Sequence, residues 1–195
     1  INTTNMKSPD RPAKKSMSLN DSFINEVKQI VEQARRQAYT AINSSMVKAY
    51  WKMGKRIVEE EQQGQTRANY GKQLLKSLSQ ALTEEFGKGF SVGSLYYYRQ
   101  FYLTFPEIFA TPWRILSWSH YKRLMQVPDS KARNWYLKEA SEQMWSYRTL
   151  DRNIGTQYYH RLLLSQHKDA VENEMKIRTG DYQEDKLEFI KNPTV

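Results

Sequence analysis

Apolar residues recur at helical spacing along most of this chain, and period-2 alternation never runs beyond four or five residues. A strand with one buried face needs that alternation, whereas a core-facing helix needs apolar residues at i, i+3, i+4 and i+7. The pattern predicts an all-α fold, a bundle of seven or so helices. Leu74, Leu75, Leu78, Leu82 and Phe86 mark one amphipathic helix, which Gly87 stops. Ser91 then supplies an N-cap hydroxyl for the next. That helix is predicted to bury Leu95, Tyr98, Tyr102 and Phe105, and to turn Tyr96, Tyr97 and Gln100 outward with Arg99 on the flank. A helix, a glycine turn and a second helix with aromatic, amide and cationic side chains outward is a helix-turn-helix-like way to present a helix to nucleic acid.

Residues 1–18 are polar and aperiodic and read as a disordered leader. Asn20-Asp21-Ser22 offers cap chemistry, after which Phe23, Val27, Ile30, Val31, Ala34 and Ala38 share one helical face. Ile42, Met46, Ala49, Tyr50, Met53 and Ile57 continue it, as one long helix or as two broken near Asn43-Ser44-Ser45. The Ser91 helix ends before Pro106, residues 113–127 hold a short helix opened by Ser117, and Asp129 caps another with Ala132, Trp135, Tyr136 and Ala140 inward. Trp145-Ser146-Tyr147-Arg148-Thr149-Leu150 then echoes Phe90-Ser91-Val92-Gly93-Ser94-Leu95. Beyond Ser146, Leu150, Ile154 and Tyr158 point one way, and Arg148, Arg152, Gly155 and Tyr159 the other. The helical domain is assigned to residues 19–165, and 166–195 to a charged linker in which 169–178 can form a helix.

Charge narrows the partner. The chain carries a formal +9, and residues 87–165 hold eleven Lys/Arg against five Asp/Glu, whereas 166–195 hold five against seven. A basic, aromatic-rich domain suits polyanions, nucleic acid first among them. No run of apolar residues is long enough to span a membrane, and the first eighteen residues lack a signal peptide's apolar core. The absence of cysteine excludes disulfides and thiol chemistry and fits a reducing cytoplasm. A start at Ile1 reads as a piece of a longer protein.

Catalytic constellations are missing from the pattern. His120, His160 and His167 have no metal-ligand spacing, and His120 reads as a core or cap histidine with a satisfied hydrogen bond. Gly87-Lys88-Gly89 with Gly93 lacks the Lys-Ser/Thr of a phosphate-binding loop and follows no strand. Asp129 reads as a helix cap, and Glu174-Met175-Lys176 and Glu184-Asp185-Lys186 as solvated charge. No cofactor or metal is expected in this chain.

Several stretches together resemble the N-terminal domain of the YhcG family, bacterial proteins with a C-terminal PD-(D/E)XK nuclease-like domain. They are Tyr50-Trp51-Lys52-Met53-Gly54-Lys55-Arg56-Ile57, Glu61-Gln62-Gln63-Gly64 with Arg67-Ala68-Asn69-Tyr70-Gly71, and Glu85-Phe86-Gly87-Lys88-Gly89-Phe90-Ser91. Arg99-Gln100-Phe101-Tyr102 with Phe105-Pro106, Leu116-Ser117-Trp118-Ser119-His120-Tyr121, and Trp145-Ser146-Tyr147-Arg148-Thr149-Leu150 complete the set, which covers residues 22–165. One departure is Gly93-Ser94, where the family often has Arg-Asn; any contact with bases or phosphate made there is weaker in this chain or falls to a neighbour such as Tyr96 or Arg99. The resemblance implies that Phe189-Ile190-Lys191-Asn192-Pro193 leads toward a nuclease domain. It also implies that a divalent metal belongs to that domain alone.

These readings converge on a DNA-binding or targeting domain of a bacterial nuclease, without a catalytic site in this chain. Arg148, Arg152 and Tyr159 form the best outward stripe, with Tyr96, Tyr97, Arg99 and Gln100 on the earlier helix. Arg67, Lys88, Lys122 and Arg123 are further phosphate candidates. Trp51, Trp118 and Trp145 read as core rather than as base-stacking platforms. The alternative is an assembly domain, a homo-oligomer whose aromatic faces bring two nuclease domains together.

Overall fold

The computed structural model describes residues 20–63, 68–110 and 115–182. By its internal contacts the chain divides into two units, 1–35 and 36–195. Every described residue lies in a helix or in a turn or link between helices; none is in a strand. The expected leader at 1–18 falls outside the described residues, as do Arg67 and residues 183–195.

Helix α1 runs without interruption from Asp21 to Gln63. The Asn43-Ser44-Ser45 segment does not break it; Asn43 instead donates from Nδ2 to the Leu116 carbonyl at 3.3 Å. In the first unit, Asn20 Oδ1 accepts from the Ser22 amide at 3.0 Å, which caps the helix start. The apolar face of that unit is not buried. Phe23, Val27, Ile30 and Val31 are all exposed.

The second unit holds the core. Helices α2 (Ala68–Phe86), α3 (Val92–Thr104), α4 (Trp118–Met125), α5 (Ser130–Glu142), α6 (Tyr147–Gly155), α7 (Tyr158–Leu164) and α8 (Lys168–Thr179) follow in order, with a 3-10 turn at Ile108–Ala110. Helix α3 packs against α2 and α4, and α6 against α4, α5, α7 and α8. One cluster gathers Ile57, Leu75, Leu95 and Tyr98 where α1, α2 and α3 meet. A larger one runs from Val47, Phe101 and Phe105 through Tyr121, Leu124, Tyr136 and Leu150 to Tyr158 and Met175.

The glycine turn between α2 and α3 forms as expected. Gly87 and Gly89 take positive φ of 80° and 118°, conformations that L side chains adopt only with strain. Ser91 caps α3 by accepting from the Ser94 amide at 3.1 Å. Close approach by α1 fixes the placement of α3. A Cβ on Gly54 would lie 1.9 Å from the Tyr98 carbonyl oxygen, so only glycine fits there. Tyr50 stacks on Tyr98 with centroids 4.4 Å apart, and the Tyr98 hydroxyl donates to the Gly89 carbonyl at 3.2 Å. Because α3 is hemmed in by neighbours, its buried face is Leu95, Tyr98 and Phe101. Tyr102, expected inside, is half-buried, and Phe105 is buried as the C-cap residue.

Two further expectations are revised. The segment from Gln166 is not linker throughout, because α8 packs on α6 and α7 and buries Met175 and Thr179. The outward stripe from Arg148 does not reach Tyr159 on one helix. Helix α6 ends at Gly155, and Gln157 (φ 52°) turns the chain into α7. Of the tryptophans, Trp145 is buried in the core, and Trp51 and Trp118 pack against it half-buried.

Candidate nucleic-acid interface

Helix α6 starts where Ser146 accepts from the Thr149 amide at 3.1 Å. The two hydroxyls lie 2.9 Å apart, as do those of Ser91 and Ser94 at 3.0 Å. The predicted echo is therefore real at the level of the cap. Thr149, Leu150 and Asn153 form the buried face of α6. That leaves Arg148 and Arg152, one helical turn apart, on the other side. The last turn of α4 brings Arg123, a favourable place for a cation at the negative end of the helix dipole.

These three arginines line one depression of about 700 Å³, with Asp151, Gly155, Thr156 and Tyr182. Arg123 donates from Nε to Asp151 Oδ1 at 2.5 Å, an ion pair that ties α4 to α6. Arg152 donates from Nη1 to the Tyr182 hydroxyl at 3.4 Å, while its Nε is buried without a hydrogen-bond partner. Thr156 spends its hydroxyl proton on the Arg152 carbonyl at 3.0 Å. Three guanidiniums against one carboxylate leave the lining a formal charge of +2. Such a cavity suits a phosphate or carboxylate, since guanidinium offers paired donors matched to planar oxyanions.

The other predicted residues are dispersed. Lys122 is half-buried beside Arg123 on α4, and Lys88 is exposed in the glycine turn. Tyr96 and Tyr97 are exposed on α3, with rings 6.4 Å apart, and Gln100 donates to the Tyr96 hydroxyl at 2.9 Å. Arg99 is turned inward to Glu61 on α1, Nε to Oε2 at 2.7 Å. Tyr159 packs in an aromatic cluster, 5.5 Å from Trp135, and its amide donates to the Tyr136 hydroxyl at 3.0 Å. It lines a separate pocket with Glu139 and Glu172. Burial raises the Tyr158 hydroxyl there to about 12, with Glu172 and Glu139 adding to the effect, and burial likewise raises the Glu139 carboxyl.

His120 is a structural pin. Its Nε2 faces the Trp145 carbonyl at 3.0 Å and its Nδ1 the Ser117 hydroxyl at 2.6 Å. A carbonyl only accepts, so Nε2 carries the proton and Nδ1 accepts from Ser117. Burial lowers the pKa of the ring from its ordinary value. Asp129 caps α5 by accepting from the Lys131 amide at 2.8 Å, and Glu174 pairs with Arg161 and Arg178. Among the described residues no group of three or more His, Cys, Asp and Glu side chains is placed to hold a metal. No described helix is long and apolar enough to cross a membrane.

Sequence reasoning missed Asp151 and Tyr182. Asp151 had a local signal, standing between the two arginines. Tyr182 had none, because α8 brings it to the arginines from thirty residues away.

Residues 26–161 match the DUF1016 N-terminal domain. The chain is 36% identical over 173 residues to the Escherichia coli (strain K12) protein named Putative nuclease YhcG, covering 73% of this chain and 46% of that protein. It thus spans about half the length of that curated relative. No solved structure matches the chain. On the match over residues 26–161, the chain belongs to the DUF1016 N-terminal domain family.

Proposed function

We propose that this domain binds DNA through the face that α4 and α6 build, and so targets the catalytic part of a larger nuclease. The observation behind this reading is the convergence of Arg123, Arg148 and Arg152 from two helices on one depression. Phosphate contacts of this kind position a protein on DNA without reading sequence. Base readout falls to exposed side chains nearby. In this reading the nuclease domain is of PD-(D/E)XK type, the divalent metal acts there and not here, and the protein works in the cytoplasm, a reducing compartment that suits a cysteine-free chain.

The test is titration with duplex, branched and single-stranded DNA at low salt. Binding should weaken steeply as salt rises, with a log–log slope of about −0.9 per phosphate contacted on duplex DNA. The double change Arg148→Ala, Arg152→Ala should lower both affinity and slope, the slope by about two contacts' worth. No binding to any DNA at low salt refutes the reading. An unchanged slope in the double variant removes α6 from the interface.

One observation favours assembly as a second role. Phe23, Val27, Ile30 and Val31 form an exposed apolar stripe in the first unit, the kind of face that buries itself against a partner helix. Mass measurement by light scattering after size exclusion decides it. A stable oligomer that Ile30→Glu dissociates supports assembly; a monomer at high concentration rejects it.

A further inference from the structure

We infer that the apolar groove between α1 and α2 takes the exposed stripe of a second copy's first unit, so that two chains each dock a helix segment on the other. This rests on the assembly role proposed above and names the surface on which the stripe lands. The groove lies wholly in the second unit and measures about 470 Å³. Met53 and Ile57 of α1 line one side, Leu74, Leu78 and Leu82 of α2 the other, and the buried Leu95 of α3 the base. The three α2 leucines follow at one-turn spacing, and all are half-buried. Such a row is a ridge beside which a further helix packs.

The chemistry of the lining favours a helix over a small molecule. Ligand pockets hold a few placed polar groups that orient what they bind. Here the polar lining is Lys52, Arg56 and Glu60 alone. Arg56 is spent on Glu59 at 2.9 Å and Glu60 at 3.4 Å, both exposed contacts at the rim. An aliphatic surface without oriented donors or acceptors suits the apolar face of an amphipathic helix, whose backbone bonds are internal.

The chain itself carries that face. Phe23, Val27, Ile30 and Val31 recur at i, i+4, i+7 and i+8, the anchor spacing of a helix laid in a groove. Asn25, Gln29 and Glu32 occupy the opposite face. The four apolar residues are between 43% and 66% exposed and the groove's leucines only half-buried, so both surfaces are open in the single chain. The four side chains expose on the order of 400 Å² together. Two such contacts in a symmetric pair, counted on both partners, remove about 1,600 Å² from water, the size of a standard stable interface. Stripe on groove and groove on stripe is the reciprocal arrangement that a two-fold pair requires.

The experiment uses the full chain, whose lack of cysteine makes single introduced thiols specific probes. Light scattering after size exclusion should show a dimer. Ile30→Glu and Leu78→Glu should each lower the mass to that of one chain, with far-UV circular dichroism unchanged. Chains carrying Ile30→Cys are then incubated with chains carrying Leu78→Cys and treated with a short bis-maleimide. The mixture should give a covalent dimer that neither variant gives alone. This cross-link carries the test if Leu78→Glu does not fold. Cross-linking of Ile30→Cys chains to one another, with nothing further in the mixture, overturns the inference and leaves assembly standing, stripe against stripe. A dimer that Ile30→Glu dissociates and a folded Leu78→Glu does not has the same consequence. A wild-type chain that stays monomeric at high concentration removes both readings.

Discussion

Replacing Gly54 by alanine tests the packing that sets α3. A Cβ there would meet the Tyr98 carbonyl oxygen at 1.9 Å, its carbon at 2.7 Å and Tyr102 Cβ at 3.2 Å. An ordinary contact starts near 3.4 Å, so α1 and α3 must separate by roughly 1.5 Å, and a gap of even 0.5–1 Å forfeits a quarter to a half of each dispersion contact across it. The contacts at risk are the Tyr50–Tyr98 stack, the Trp51–Tyr102 edge contact and the Arg99–Glu61 pair. Overpacking costs about 3 kcal/mol at the upper end of its usual range, and the obstacle here is main chain, which cannot rotate away. Alanine's better helix propensity returns about 1 kcal/mol, leaving a net loss of about 2 kcal/mol or more. In a domain of this size that is a fall in Tm of roughly 4–8 °C. Circular dichroism melts of both proteins measure it. Gly93→Ala is the control, since its Cβ would meet only Ser91 Oγ at 3.8 Å. It should raise stability by a few tenths to about 1 kcal/mol. A Gly54→Ala protein as stable as Gly93→Ala would refute the close approach of α1 to α3.

The two serine caps should differ. Ser146→Ala should cost about 1–2 kcal/mol and Ser91→Ala nearer 1 in urea melts, because Ser146 and Thr149 are buried while Ser91 is exposed to water that can replace its bond. Equal losses would argue against burial as the difference. The pH profile should show His120. Burial lowers its folded pKa below the unfolded value, so its contribution is fully present above about 6.5 and is lost as pH falls from there toward the folded pKa. Melts from pH 7.5 to 5 should show that loss, and His120→Gln should flatten it. Arg99→Ala should destabilise the fold by about 1–2 kcal/mol, since it strands the mostly buried Glu61 carboxylate. A variant of wild-type stability would return Arg99 to the list of free surface cations.

Elements were legible from sequence because helix starts and stops are local. Ser91, Asp129 and Ser146 each cap the helix that their spacing predicts. Gly87 and Gly89 take the positive φ that their position demands. Faces were less legible, since a helix exposes whatever its neighbours leave uncovered. Phe23, Val27, Ile30 and Val31 look like core residues by period, yet are exposed. Tyr159 sits at the right spacing from Arg148 only if one helix continues, and the left-handed Gln157 ends that continuity. Three of the seven residues that line the candidate site, Arg123, Arg148 and Arg152, were in the predicted set; its assembly from α4 and α6 was not.

Arg99 shows why. By sequence it matches Arg148, a cation on a serine-capped helix after an aromatic residue. The difference lies on another helix, at Gly54. With no side chain there, α1 comes close enough to α3 for Glu61 to reach Arg99, and the cation becomes a clamp between two helices. Arg123 also has an acidic partner, but Asp151 is half-exposed and the guanidinium still faces an open depression. An ion pair by itself does not decide whether an arginine can meet a phosphate. What separates the two is the surroundings of the carboxylate: Glu61 is mostly buried, whereas Asp151 is half-exposed at the wall of a depression. Charge patterning along the chain cannot separate those cases, because Glu61 lies thirty-eight residues away from Arg99 in sequence.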